Sequence, residues 1–304
     1  MVTETSTGIR TTQPVLGARA SISSGIVITH YSQTHNVGAE GPNRLLTPRT
    51  TTKLGTWNVR TMFEAGRAQQ IANEMSRYKI SLLSISETRW IKSGRFPLVS
   101  GQTILFSGHE DDHARHMHGV GFMLSAETTK ALMEWEPINA RLIAARFYGT
   151  PTNISIIQGY APTNDAEPEE KAEFYDTLLS TIDKIPNKDL VIIMGDFNAK
   201  IGSENAGREQ VMGRHGEAEI NANYGELFAD MCAFNSMVIG GSIFPHKPIH
   251  KVTWVSPDNH TENQIDHICI NKRFRRSVQD VRVYRGADVA SDHHLVVGTP
   301  ETPK

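Results

Sequence analysis

From Lys53 onward, runs of apolar residues that suit buried strands alternate with spacings that suit amphipathic helices. Leu54–Val59, Ser81–Ser86, Thr103–Ser107, Gly119–Leu124, Leu142–Tyr148 and Asn153–Tyr160 read as strands. The step Gly149-Thr150-Pro151 between the last two is a turn signal and predicts a hairpin. Ala68–Tyr78 carries Ile71, Met75 and Tyr78 at i, i+4 and i+7, one face of a helix. Glu167–Ile185 reads as a helix closed by Pro186, and Tyr224–Phe234 as another. Leu190–Met194, Met237–Ile239, Thr253–Val255, Ile265–Ile270, Val278–Tyr284 and His294–Val297 supply the remaining strands. The last of these stops at Gly298, short enough to weaken one edge of a sheet.

Hairpins mixed with helices argue for a layered α+β domain over a simple parallel array, and no repeat at a solenoid period is present. Residues 1–52 are rich in Thr, Ser, Gly and Pro without a sustained period, and the patch Ile26–Ile28 is too small to form a core. The expected organisation is a flexible leader over 1–52, one folded domain over 53–298 and a short tail over 299–304.

Composition narrows the partners. At 304 residues and 38% hydrophobic content the chain can build one large core. A formal net charge of −2 provides no global basic field, so a polyanion would have to be held by a local patch or by metal. Cys232 and Cys269 sit in apolar contexts without CxxC spacing, which argues against a disulfide framework and for a reducing compartment. The first residues lack a basic n-region and an apolar h-region, and no apolar run approaches the roughly 18 residues of a membrane span. The expectation is a soluble, intracellular protein with no membrane partner.

Polar and acidic residues recur where apolar strands end. Asn58 closes the first strand, Glu87 the second and Tyr160 the strand before the long helix, while Asp196 and Asn198 follow Leu190–Gly195. Any one of these is explained by the turn preference of Asn, Asp and Gly. Their recurrence suggests strand ends converging on a shared cleft. Carboxylates gathered in this way suit a hard cation such as Mg²⁺, which takes oxygen ligands. Glu87 is a candidate ligand, and an ion pair to Arg89 is its plainer role. Asp266 lies in an apolar strand, and Asp292-His293 precede the final one. An aspartate beside a histidine can fix its tautomer and stabilise the imidazolium, although spacing alone does not bring Asp266 to His293.

Taken in order, Thr56-Trp57-Asn58-Val59, Ser86-Glu87-Thr88, Gly159-Tyr160-Ala161-Pro162, Gly195-Asp196-Phe197-Asn198, Gln264-Ile265-Asp266 and Ser291-Asp292-His293 resemble the endonuclease/exonuclease/phosphatase superfamily over about residues 53–297. The longer strings TWNVRTMFEAGR, DFNAKIGSEN and GADVASDHHLVV are most similar to endonuclease domains of RTE-type non-LTR retrotransposons and to craniofacial development protein 2-like sequences, themselves similar to apurinic/apyrimidinic endonucleases. The resemblance implies a four-layered α/β/β/α sandwich, a Mg²⁺ or Mn²⁺ cofactor and a DNA phosphodiester as substrate. By the same resemblance, Glu87, Asn58 and Asp292 hold metal, and Asp196 aligns or deprotonates the attacking water. Asn198 and Tyr160 contact the phosphate, and Asp266 orients His293 against it. Two positions depart from the pattern. Arg60 stands where abasic-site endonucleases have a metal-holding aspartate, which puts a second metal in doubt, and Thr163 stands where an asparagine is common.

Three further features need weighing. His109, His113, His116 and His118, mixed with acidic residues, look like a metal cluster but fit no zinc spacing and are better explained as a loop. Lys272, Arg273, Arg275 and Arg276 could track DNA phosphates or form a solvated helix face, and their position after Asp266 favours DNA. Trp90 and Trp254 are expected to pack in the core or rim. The function expected is a metal-dependent DNA endonuclease, monomeric, nuclear, and without a reverse transcriptase domain in this chain. The alternatives are a phosphatase or phospholipase of the same superfamily, or a catalytically silent remnant that binds DNA or chromatin.

Overall fold

The computed structural model describes residues 21–23, 26–28, 43–48, 51–217, 220 and 224–303. The chain divides into two units, Met1–Asn36 and Val37–Lys304. In the first, β1 (Ser21–Ser23) pairs antiparallel with β2 (Ile26–Ile28). The other residues of the expected leader up to 42 lie outside the described residues.

In the second unit the chain order is β3 (Leu54–Asn58), α1 (Arg67–Arg77), β4 (Leu82–Ser86), β5 (Ser93–Pro97), β6 (Thr103–Ser107), β7 (Val120–Leu124) and α2 (Ala126–Ala131). Next come β8 (Leu132–Asn139), β9 (Leu142–Phe147), β10 (Ile154–Tyr160), α3 (Pro168–Asp183), β11 (Leu190–Asp196), α4 (Tyr224–Phe234) and β12 (Met237–Ile239). The short pair β13 (Trp254–Val255) and β14 (Glu262–Asn263) precedes β15 (Asp266–Asn271), a 3₁₀ turn at Lys272–Ser277, β16 (Val278–Tyr284) and β17 (Leu295–Pro300).

Apart from the β13–β14 pair, two sheets hold these strands, in the orders β16-β17-β3-β4-β7-β6-β5 and β12-β15-β11-β10-β9-β8. Leu82, Phe122 and Val296 of the first sheet meet Ile156, Ile192 and Ile268 of the second in one buried layer. On the outer face of the first sheet, Ile71 and Met75 of α1 pack on Leu83, Ile85 and Leu295. On the outer face of the second, Phe174 and Leu178 of α3 and Phe228 and Cys232 of α4 pack on Ile157, Ile193 and Cys269. The result is the four-layered α/β/β/α sandwich, and burying both faces of each sheet explains why the central strands are apolar throughout.

Several features differ from expectation. Leu45 and Leu46 are buried in the layer between the sheets, with Leu45 N–H donating to Tyr148 O at 2.8 Å. Folded structure therefore starts upstream of Lys53; an isolated apolar pair carries no periodicity to announce it. The final strand runs through Gly298 to Pro300 and lies between β16 and β3, so it is an interior strand and not a weakened edge. Within the two large sheets, the strands that the pattern does not predict, β5 and β8, each lie at an outer edge. They carry Gly94, Pro97, Glu134, Glu136 and Pro137, the residues that protect sheet edges and also erase the strand signal.

Candidate active site

Strand register sets up the site. The parallel pair β10–β11 brings Tyr160 beside Asp196, and the antiparallel pair β11–β15 brings Asp266 beside Asp196 on the other side. In the facing sheet the parallel pair β3–β4 ends at Asn58 and Ser86, with Glu87 immediately after. Both rims thus open at the same end of the sandwich. Gly195 is required just before Asp196: at φ 149° an added Cβ would meet Gly159 O at 1.9 Å. Glu87, Arg60 and Asn198 all take left-handed backbone conformations, strain of the kind that collects at working sites.

Asn58 joins the two sheets. Its Nδ2 donates to Glu87 Oε1 at 2.9 Å and to Asp196 Oδ2 at 2.9 Å. The Tyr160 hydroxyl also donates to Glu87 Oε1, at 3.0 Å, and Arg89 pairs with Glu87 Oε2 at 3.2 Å. Burial, reinforced by Glu87, raises the Tyr160 hydroxyl beyond its usual range, so it stays a donor. Asn198 places its own N–H on Asp196 Oδ1 and its side-chain amide on Ala161 O.

His293 closes the constellation. Its Nδ1 lies 3.0 Å from Asp266 Oδ2 and its Nε2 lies 3.8 Å from Asp196 Oδ2. The loop that carries it is pinned at both sides, by Ser291 Oγ donating to Asn58 O and by Trp57 Nε1 donating to His293 O. Burial opposes a charge on His293, but the Asp266 and Asp196 carboxylates outweigh it and raise the imidazole to about 9. Burial raises Asp196 to about 7, with Asp266 adding to the rise and His293 and Asn58 resisting it. Ligand atoms of Asp196, Asp266 and His293 all lie within 4.8 Å of one another, a group able to hold a metal ion. Asp266 Oδ1 is buried without a hydrogen-bond partner, and the surrounding donors are mostly carboxylate and amide oxygens. This set fits a hard divalent cation.

Asp292 enters differently. Its Oδ2 accepts from Trp254 Nε1 at 3.1 Å, and its Oδ1 faces Arg60 Nε at 3.7 Å. Arg60 therefore occupies the approach to this carboxylate. Trp254 thus does more than pack, whereas Trp90 is a core residue whose Nε1 donates to Met62 O.

The basic stretch is not part of this rim. Asp266 begins β15 and Lys272 follows its end, so the six-residue strand separates Arg273, Arg275 and Arg276 from the carboxylates by its whole length. Groups close together along the chain thus belong to opposite ends of the sandwich. Phe274 is buried in the core between the sheets.

Several residues carry no signal in the sequence. Gln158, fully buried on β10, donates to Ser86 Oγ at 2.7 Å and accepts from Ser84 Oγ on the facing sheet. Arg141 reaches Glu170, the Tyr160 carbonyl and His118. Burial, then the charges of Arg141 and His109, lower His118 to about 4, so its ring is neutral near pH 7. Because its Nε2 accepts from Arg141, its proton belongs on Nδ1, facing His109 Nε2 at 3.2 Å. The histidine-rich segment is thus a hydrogen-bonded loop beside Tyr160, and among the described residues it forms no metal group.

Residues 55–293 match the model of the Endonuclease/Exonuclease/phosphatase family. The chain belongs to that family. It is 34% identical over 244 residues to craniofacial development protein 2 of Bos taurus, covering 80% of this chain and 40% of that protein. The chain therefore spans about two fifths of the length of this curated relative. Its fold is similar to that of the 3′-5′ exonuclease NExo of Neisseria meningitidis, with a TM-score of 0.62, 19% identity and coverage of 83% of this chain and all of that one. It is also similar to the endonuclease domain of TRAS1, a telomere-specific non-LTR retrotransposon, with a TM-score of 0.59, 14% identity and coverage of 84% and 100%. The Asp196–Asp266–His293 cluster lies within the residues that match the family.

Proposed function

We propose that this chain is a Mg²⁺- or Mn²⁺-dependent DNA endonuclease, derived from or part of a non-LTR retrotransposon. The observation that carries the proposal is the buried Asp196–Asp266–His293 cluster tied through Asn58 to Glu87 at the shared rim of the two sheets. The likeness to the TRAS1 endonuclease domain supports the retrotransposon origin. Oxygen donors favour Mg²⁺ or Mn²⁺ over softer metals. On this reading the protein acts on nuclear DNA as a monomer, and no helix among the described residues is long and apolar enough to cross a membrane.

A bound cation would be held by Glu87 and Asn58 with Asp292 nearby, leaving Asp196 and His293 free for proton chemistry, and would neutralise charge on the phosphate and its leaving oxygen. The protein groups do the rest. Asp196, raised to about 7, is a base matched to neutral pH and takes the proton of the attacking water as its oxygen bonds to phosphorus. His293 is protonated below about 9 and, oriented by Asp266, presents Nε2 to a phosphate oxygen. The second N–H of the Asn198 amide adds a neutral donor, replacing solvent around the charge that builds up as the phosphodiester bond breaks, while the Tyr160 hydroxyl holds Glu87 in place beside it.

The test is nicking of supercoiled plasmid with Mg²⁺ by the parent and by Asp196→Ala and His293→Ala. Nicking by the parent alone upholds the proposal. Turnover of a phosphoinositide or sphingomyelin in its place would move the assignment to a phosphatase or phospholipase. Salt-sensitive DNA binding without nicking would make the chain a silent DNA-binding remnant.

A further inference from the structure

Six large apolar side chains are exposed among the described residues, and two of them, Phe63 at 46% and Met117 at 47%, lie on loops beside Glu87. Phe63 follows β3, and Met117 lies in the histidine-rich loop between β6 and β7. The Phe63 ring packs on the exposed His116 ring, with centroids 4.6 Å apart and planes at 51°. His116 Nδ1 in turn donates to the carbonyl of Arg89 at 3.0 Å, and the Arg89 guanidinium pairs with Glu87. A chain of direct contacts therefore links this aromatic pair to the carboxylate.

The pair is also firmly based. Met62 N–H donates to Thr88 O, Thr88 N–H to Gly119 O and Arg89 N–H to His118 O, lacing the two loops to the segment after β4. Trp90 Nε1 adds a bond to Met62 O. Arg89 is engaged with Glu87, whereas Arg115, next to His116 in the chain, is exposed and without an ion-pair partner among the described residues. Partly exposed aromatic rings, held by buried backbone and next in the chain to an exposed arginine, match the two parts of a nucleotide: rings for the base, a cation for the phosphate. In a duplex, bases are already stacked on their neighbours. Only an unpaired base gains from such a surface.

We propose that Phe63 and His116 form a nucleobase-stacking subsite, with Met117 alongside, that takes an unpaired base of the strand whose phosphodiester is at the catalytic cluster. The subsite rests on the nuclease reading and narrows its substrate to DNA with a locally unpaired strand.

The experiment is equilibrium binding of the full chain in EDTA, where cleavage is suppressed. Two DNAs are compared, a fully paired duplex and the same duplex with a short single-stranded gap carrying 2-aminopurine. Phe63→Ala is expected to weaken binding of the gapped DNA by about tenfold or more, to leave the duplex within twofold, and to abolish quenching of the 2-aminopurine. Phe63→Trp should restore both affinity and quenching. Equal loss on the two DNAs, unchanged binding in the alanine variant, or failure of the parent to bind gapped DNA would each overturn the subsite. Since binding in EDTA does not depend on turnover, a parent that binds and quenches but does not nick would sink the nuclease reading and leave the subsite standing.

Discussion

Asn58 Nδ2 lies 2.9 Å from Asp196 Oδ2, and these two residues belong to different sheets. A single amide therefore aligns Glu87, the proposed metal-side carboxylate, with Asp196, the proposed base. Asn58→Ala should reduce plasmid nicking by roughly 10²-fold, the scale on which a lost site donor acts. Asp196, which is buried, and Glu87, which is half-buried, would each be left with one donor fewer. The comparison to make is single-turnover nicking of the variant and the parent at saturating Mg²⁺, and a loss under threefold would refute the bridging role.

The rate should depend on pH through Asp196 and His293. Asp196 must be ionised to act as base, so activity rises as pH passes about 7. His293 must stay protonated to donate, so activity falls as pH passes about 9. Asp266→Asn removes a carboxylate that raises His293, and the alkaline limb should move down toward the ordinary histidine range near 6.5. Rates measured across this interval for parent and Asp266→Asn decide the point; an alkaline limb that stays in place would exclude His293 as the acid.

Arg60 sets the charge next to Asp292. Replacing it by alanine removes a guanidinium 3.7 Å from Oδ1 and should tighten Mn²⁺ binding several-fold, and Arg60→Asp more so. Calorimetric titration of the two variants against the parent gives the answer. Equal affinities would show that Asp292 takes no part in holding the cation.

Neutralising Lys272, Arg273, Arg275 and Arg276 together should leave the nicking of a short duplex within twofold of the parent, because they follow the far end of β15. A loss of tenfold or more on that substrate would return them to the DNA path.

Stability should be most sensitive well away from the chemistry. Asp189 is buried and takes charged bonds from Arg146 Nε at 2.7 Å and Nη2 at 3.2 Å, together with the Ser155 hydroxyl at 2.8 Å. Asp189→Ala would leave the Arg146 charge partly buried without this partner and should destabilise the fold by about 3–5 kcal/mol. Urea unfolding measures this directly; a change under 1 kcal/mol would mean that solvent reaches the pair in solution.

The central strands are legible because both of their faces are buried, and an uninterrupted apolar run as short as Leu190–Met194, bounded by polar residues, suits a buried strand better than a helix. The edge strands β5 and β8 are not, since the residues that guard an edge mimic those of a loop. Asn58, Glu87, Asp196 and Asp266 can be picked out because they sit where strands start or stop. Gln158 and Arg141 cannot, and Trp254 reads only as a packing residue, because each matters through a partner elsewhere in the chain: Ser86, Glu170 and Asp292. The basic stretch misleads for the opposite reason. It is near Asp266 along the chain, but an extended six-residue strand carries it away in space.

Gln158 spans the buried layer between the sheets, bonded to Ser84 and Ser86 on the other side. It acts as a ruler. The cleft has one wall on each sheet, so its width is inherited from the thickness of the apolar filling beneath it. Trimming Phe122 or Ile192, neither of which touches the reacting groups, would let the walls settle toward each other and would detune catalysis before the protein lost its shape. Heating would do the converse: the walls would loosen as the layer expanded, and activity would fade at temperatures where the sandwich is still folded.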